Sequence, residues 1–321
     1  MRKSRRPLVI ASRRSVLARA QAESIGQVLK RLHPTVEISY LWIESEGDRL
    51  ADAALTESGG KGLFASALEK EVLTGRADLA VHSLKDLPAQ SPRGGKTSGL
   101  AIAAVPPRAN VQDCLISHSG AARIEDLSPN AVLGTASPRR AAQALRIRPD
   151  LQVKLIRGNV DTRIRKVLDE REYDATLLAV AGLQRCGLAE HAKHPLPVES
   201  MLPAACQGAL ALQCRADDHV TLLRCLPLNH AETATAVHVE RGIVAALHGD
   251  CHSPIAALAT ATSTGVSVKV RVLSPDGKQM LETTDESPLK AMGKMIKRVT
   301  QELKDQGSDL ILRGLTVPQA K

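Results

Sequence analysis

Arginines cluster just beyond short apolar runs, where a strand would hand over to a helix. Ala11-Ser12-Arg13-Arg14-Ser15 follows Leu8-Val9-Ile10, and Gly134-Thr135-Ala136-Ser137-Pro138-Arg139-Arg140 follows Ala131-Val132-Leu133. Arg157-Gly158-Asn159-Val160-Asp161-Thr162-Arg163 follows Val153-Lys154-Leu155-Ile156, and Arg185 lies shortly after the apolar stretch ending at Val180. Free N–H groups and the positive dipole end make a helix N-terminus an anion site. A guanidinium fork placed there adds bidentate recognition of carboxylate or phosphate. Any one of these arginines could equally be a surface salt bridge. The set Arg13, Arg139, Arg140, Arg157, Arg163 and Arg185, placed alike, points to a small ligand carrying many negative charges.

Two other residues could do chemistry. Asp86 follows the apolar run Leu79-Ala80-Val81 and sits beside Lys85. Alone it reads as a helix cap or an ion-pair partner. In an arginine-lined cleft it would stay ionised, because nearby cations lower a carboxylate's pKa. It could then stabilise a cationic intermediate or move a proton. Cys251 lies in Gly249-Asp250-Cys251-His252-Ser253-Pro254, past a helix end. A lone cysteine is most often a small buried hydrophobe. A Gly- and Pro-bearing loop favours exposure instead, and a basic surround favours the nucleophilic thiolate.

The elements that must position these residues alternate strand and helix. Leu8–Ser12 reads as a strand and Ser15–Leu32 as a helix, with Ile25, Val28, Leu29 and Leu32 on one face. Val36–Ile43 is a second strand, and Glu44–Gly62 a polar, glycine-bearing loop of the kind that forms lids. A helix over Phe64–Leu73 and a strand over Asp78–His82 follow. The alternation predicts parallel sheets with crossover helices. Ser91–Gly99 reads as an exposed turn and Pro106-Pro107 as a hinge. A second α/β unit has strands at 132–134, 153–156 and 175–180. A helix over Ala231–Leu247 leads into a small ββα segment. Its strand Val266–Val272 alternates strictly, which implies one wet face.

Composition narrows the function classes. The 321 residues carry a net charge of +9 with 43% hydrophobic and 24% charged residues, an ordinary globular balance with an anionic partner. Nucleic acid is disfavoured, because aromatics make up only 1% and offer no stacking platform. The six cysteines include no C-x-x-C pair, so neither a zinc site nor a thioredoxin-like motif is supported. They read as reduced thiols of a cytoplasmic protein. No signal peptide, membrane span or metal site is expected. Gly95-Lys96-Thr97 lacks the earlier glycine of a phosphate loop, since Gln90 stands there. No G-x-S-x-G elbow occurs.

Together the segments resemble the porphobilinogen deaminase (hydroxymethylbilane synthase) family. The stretches that carry the resemblance are Ile10–Arg13, Gly59–Phe64, Ala80–Asp86, Thr135–Arg140, Arg157–Val160 with Thr162-Arg163, Leu178–Leu183, Leu202–Ala204, Gln207–Ala209 and Cys251. The resemblance implies two periplasmic-binding-protein-like α/β domains flanking a cleft, plus a small α+β C-terminal domain. The expected boundaries are 1–107 with 205–225, then 108–204, then 226–321. It implies a transferase that joins four porphobilinogen molecules head to tail into hydroxymethylbilane and releases ammonia. A dipyrromethane cofactor would be held by a thioether to Cys251. Each pyrrole carries an acetate and a propionate, which would account for the arginine set. Loss of ammonia leaves an electron-poor methylene-pyrrolenine cation, attacked by the free α-carbon of the growing chain.

By the same resemblance Asp86 is catalytic. Ser83, Lys85, Asp86, Thr135, Ser137, Arg139 and Arg140 would bind cofactor, and Arg13, Gln21, Arg157, Arg163 and Arg185 substrate. The 44–62 loop matches a mobile lid, and the protein is expected to be monomeric. Glu57 stands where the family often has lysine, with Glu46 nearby, and Ala136 and Pro138 replace a more usual Ser and Leu. An anion-binding module that had lost catalysis would need the arginines but neither Asp86 nor Cys251.

Overall fold

The computed structural model describes residues 6–44, 63–89, 99–250 and 252–314. The expected lid from 45 onward, most of the 91–99 turn and Cys251 itself lie outside the described residues. In chain order the strands are β1 (Leu8–Arg13), β2 (Ile38–Ile43), β3 (Leu79–Ser83), β4 (Leu100–Ala104), β5 (Asp113–Ser117), β6 (Val132–Gly134), β7 (Gln152–Lys154), β8 (Ala175–Ala179), β9 (Leu210–Arg215), β10 (Ile255–Ala261), β11 (Gly265–Leu273) and β12 (Met280–Pro288). The helices are α1 (Val16–Leu32), α2 (Leu63–Leu73), α3 (Pro138–Ile147), α4 (Val160–Leu168), α5 (Val180–Arg185), α6 (His219–Cys225), α7 (Ala231–Ala246), α8 (Met292–Asp305) and α9 (Ser308–Leu312). Among the described residues no helix is long and apolar enough to cross a membrane.

The chain divides into two compact units: 1–108 with 209–234, and 109–208 with 235–321. The first is built on a five-stranded sheet of order β2-β1-β3-β9-β4. Alternation along β1 sends Leu8 and Ile10 to one face, where Ile25 and Leu29 of α1 cover them. Ala11 and Ala80 face Leu68 and Val72 of α2 on the other. Each fully buried leucine here is worth about 2 kcal/mol of transfer free energy.

The second unit repeats the layering on the sheet β5-β8-β6-β7. One face packs Leu133 and Leu177 against Ala144 of α3, and the other packs Ile116 and Leu178 against Ile164 and Val167 of α4. The C-terminal three-stranded sheet, order β10-β11-β12, belongs to the same unit.

Two expectations need correcting. The sheets are mixed rather than parallel. β1 pairs parallel with β2 and β3, and β6 with β7 and β8, but β9 runs antiparallel to both β3 and β4, and β5 to β8. The antiparallel partners come from distant segments, as in Leu79↔Cys214. The C-terminal segment has three antiparallel strands rather than two, and the solvent face of β11 fails at Arg271, which is only 7% exposed. That face is covered there by Gln143 of α3 and the backbone of Glu199 and Ser200.

Candidate active site

In the first unit the turn from β1 into α1 is locked at both ends. Ser12 Oγ donates to the Ala18 carbonyl at 2.9 Å, and Ser15 caps α1 by accepting from the Ala18 N–H. Arg13 is thereby fixed at the strand end. On α1, Gln21 is 3% exposed and its Nε2 donates to Ser83 Oγ at 2.8 Å, which orients the last residue of β3. A 3-10 turn over Leu84–Asp86 follows, pinned where the Leu84 N–H donates to the Ala209 carbonyl of the chain leading into β9. Asp86 is exposed on that turn and Lys85 half-buried. Arg13, Gln21, His82, Ser83 and Asp86 line one concavity. Four residues expected to touch cofactor or substrate therefore meet in this unit, with His82 as an addition.

His82 is buried, and its Nε2 lies 2.9 Å from Gln213 Oε1, while Gln213 Nε2 donates to Glu69 at 3.0 Å. A ring N–H donated to the amide oxygen lets both bonds form at once. Burial pushes the imidazole pKa down to about 4, against a smaller upward pull from the Gln213 bond. The ring is neutral at pH 7.

In the second unit the turn after β6 is built the same way. Thr135 Oγ1 accepts from the Ser137 N–H at 3.1 Å, and Ser137 caps α3 by accepting from the Arg140 N–H. Pro138 occupies the first turn of α3, where its missing N–H would be unpaired anyway. Its fixed φ stiffens the turn.

Arg139 and Arg140 depart from the expected open forks. Both are buried and both close on Asp113 of β5: Arg139 Nη2 meets Oδ2 at 2.7 Å, and Arg140 Nη2 meets Oδ1 at 2.7 Å. Arg139 Nη1 also donates to the Leu202 carbonyl at 2.7 Å, Arg140 Nη1 to Leu177 at 2.8 Å, and Gln207 Nε2 to Asp113 Oδ1 at 3.0 Å. Burial works to raise the Asp113 pKa, but the two guanidiniums and these bonds outweigh it and hold the carboxyl well below the usual range. Arg139 Nε is a buried donor with no acceptor.

Arg163 is half-buried and donates through Nε to the Gly158 carbonyl at 2.8 Å. Burial first, then the like charge of Arg140, depress its pKa. Arg185, also half-buried, donates to the Gly208 carbonyl at 2.8 Å and is depressed by burial. Among the described residues neither Arg163 nor Arg185 has a carboxylate partner. Arg157 is half-buried. This donor set, short of anions and with one orphaned N–H, suits a ligand bearing several carboxylates. Among the described residues no cluster could hold a metal.

Cys251 follows α7 and precedes β10 in the sequence, and the described residues on either side of it are tied together. The His252 N–H and Ser253 Oγ both donate to Asp250 Oδ1, at 2.9 and 3.0 Å. Cys114, Cys206, Cys214 and Cys225 are buried free thiols, and Cys186 is half-buried. Burial pushes the Cys214 thiol to about 11 and that of Cys225 to about 12, which suppresses the thiolate.

Family models agree with this layout. Residues 8–222 match the porphobilinogen deaminase dipyrromethane cofactor binding domain, and residues 234–305 the porphobilinogen deaminase C-terminal domain. The chain belongs to the porphobilinogen deaminase family. The porphobilinogen deaminase of Legionella pneumophila (strain Lens) is 40% identical over 310 residues, covering 96% of this chain and 97% of that one. That of Laribacter hongkongensis (strain HLHK9) is 41% identical over 305 residues, covering 95% and 97%. One solved structure matched is the periplasmic aliphatic sulphonate binding protein SsuA from Escherichia coli, with TM-score 0.35 and 14% identity, covering 75% of this chain and 70% of that one.

Asp113, Gln207, His82 and Gln213 support the site without having been expected there from the sequence. Asp113 alone had a usable signal, an acid at the head of an otherwise apolar stretch, Asp113-Cys114-Leu115-Ile116.

Proposed function

We propose that the chain is a transferase that joins four porphobilinogen molecules head to tail into hydroxymethylbilane, on a dipyrromethane cofactor held by a thioether to Cys251. The observation that carries this reading is the surplus of cations in the second unit. Arg139, Arg140, Arg163 and Arg185 are buried or half-buried, and Asp113 is the carboxylate set against the first two. Buried charge without a partner is costly, so the surplus fits a ligand that brings its own carboxylates. Family membership names that ligand class.

Each condensation forms one C–C bond between the aminomethyl carbon of the incoming pyrrole and a free pyrrole α-carbon. It breaks one C–N bond and releases ammonia. Water then releases the product by breaking the bond that joined the first unit, its hydroxyl ending on that unit's methylene carbon as the hydroxymethyl group and its proton on the α-carbon left behind. When bound, the cofactor supplies the free α-carbon to which the first substrate is joined. The chain's own residues bind and orient. Arg13, Gln21 and Ser83 shape the concavity beside Asp86 and hold acid side chains of the pyrroles. Asp86 faces the pyrrole N–H groups and the positive charge that develops as ammonia leaves. Thr135, Ser137 and the α3 N-terminus receive cofactor carboxylates together with Arg139, Arg140 and Lys85, while Arg157, Arg163 and Arg185 take those of the substrate.

Cys251 is favoured for attachment because the other thiols are buried or half-buried. We keep the reading of three domains, at 1–107 with 205–225, 108–204 and 226–321, supported by three separate sheets. A monomer in the cytoplasm fits a small-molecule biosynthetic role.

Ammonia release from porphobilinogen tests the reading. Asp86→Asn should lower kcat at least about 100-fold with KM nearly unchanged. Undiminished release would overturn the role of Asp86, and no release by the parent chain would favour an anion-binding module.

A further inference from the structure

Helix α3 is gripped from the C-terminal sheet by one buried arginine. Arg271 of β11 donates through Nη1 to Gln143 Oε1 at 2.8 Å, through Nη2 to the Glu199 carbonyl at 2.8 Å, and through Nε to Glu282 at 2.8 Å. Gln143 is 1% exposed, and its amide makes a reciprocal pair with the Leu202 backbone, accepting from N–H at 2.9 Å and donating to the carbonyl at 3.0 Å. The same Leu202 carbonyl accepts from Arg139 Nη1. Arg139 shares Asp113 with Arg140. An unbroken hydrogen-bonded path thus runs from β11 to the arginine pair. The β11–β12 turn braces the same helix: Gly277 packs on the Ala142 carbonyl, and Arg146 Nη1 donates to the Lys278 carbonyl at 3.3 Å.

A surface arginine on an alternating strand would do none of this. Its burial carries a desolvation cost that is offset only by acceptors in fixed positions, and a planar fork fits them where an ammonium would not. Gln143 and Leu202 are thereby held in one arrangement. Arg139, bonded once at each Nη atom, is set by them and keeps a second N–H on each.

We propose that Arg271 is a positioning residue for assembly of the covalent cofactor: acting through Gln143 and the Leu202 carbonyl, it registers Arg139 and Arg140 with the sheet that follows the Cys251 loop. This rests on the reading that Arg139 and Arg140 receive the cofactor's carboxylates. Assembly from porphobilinogen takes two additions. The first forms a C–S bond at Cys251 and breaks a C–N bond, the thiol proton leaving with the departing ammonia. The second forms a C–C bond and releases another ammonia. Arg271 touches neither reacting atom and acts through Arg139 and Arg140, which collect the pyrrole carboxylates before the thioether exists; once that covalent bond holds the rings, loss of Arg271 leaves turnover unchanged.

Cofactor-free chain, produced in cells unable to make porphobilinogen, is incubated with porphobilinogen and followed by denatured intact mass. Arg271→Met should acquire the dipyrromethane mass about tenfold more slowly than the parent, the scale expected when a remote change loosens a site. Its kcat and KM per loaded chain should match the parent's, a split that general destabilisation would not give. Gln143→Met cuts the same path from α3 and should slow loading equally, with little further loss in the double variant. It also serves if Arg271→Met does not fold. Loading of either folded variant at the parent rate overturns the inference. Arg140→Leu separates it from the underlying reading. If Arg140→Leu loads normally, that reading fails; if Arg140→Leu is slow and Arg271→Met is not, only the role of Arg271 fails.

Discussion

Asp113 faces two buried guanidiniums, and its removal would leave both charges buried without its carboxylate. Breaking a buried pair from one side costs far more than the pair itself contributes, because the remaining charge stays desolvated. Asp113→Asn keeps the shape but not the charge. It should destabilise the folded chain by about 3–5 kcal/mol in chemical denaturation. A loss under about 1 kcal/mol would show that Arg139 and Arg140 find other anions or water. The motif around Arg139 and Arg140 was visible in the sequence, but its pairing with Asp113 was not, because Asp113 arrives from a different strand.

At the scale of elements, β3 has a neutral histidine within and leads into an exposed turn that carries Asp86. Folding lowers the His82 pKa from its ordinary 6.5 to about 4. Between those values the unfolded chain binds a proton that the folded chain refuses, so stability rises with pH across that window. His82 should therefore contribute its full effect above pH 6.5 and lose up to about 3 kcal/mol as pH falls toward 4. His82→Gln should flatten the stability slope between pH 6.5 and 4.5 in denaturant titrations. An unchanged slope would place the effect on other groups. The β11–β12 turn offers a second test. Gly277 has φ +72°, and a Cβ there would run into the backbone of Ala142 and Arg146. Gly277→Ala should cost about 1–3 kcal/mol through strain; a neutral substitution would mean that the turn lifts freely off α3.

The same scale shows what could be read without coordinates. Helix α1 and strand β11 announce themselves through periodicity, and β1 and β6 as short apolar runs with arginine-bearing turns at their ends. β10 does not: Ile255-Ala256-Ala257-Leu258-Ala259 is alanine-rich, has weak strand propensity, and becomes a strand through its ladder with β11. β9 gives no sign that it lies between β3 and β4, since that register spans distant parts of the chain. Burial of Arg271 was illegible for a related reason. Alternation assigns a face, and a distant helix decides whether that face stays wet.

Across the whole molecule, a net charge of +9 has two very different readings. Charge spread over exposed helices would suit nucleic acid, whereas Arg139, Arg140, Arg157 and Arg163 sit buried or half-buried at strand–helix turns. Such charges suit a compact polycarboxylate, and a chain that holds one covalently must carry it as mass. Denatured intact mass with peptide mapping around Cys251 tests this most directly. The account predicts an excess equal to one dipyrromethane, localised to the peptide containing Cys251. A chain at its sequence mass, unchanged after incubation with porphobilinogen, would contradict it.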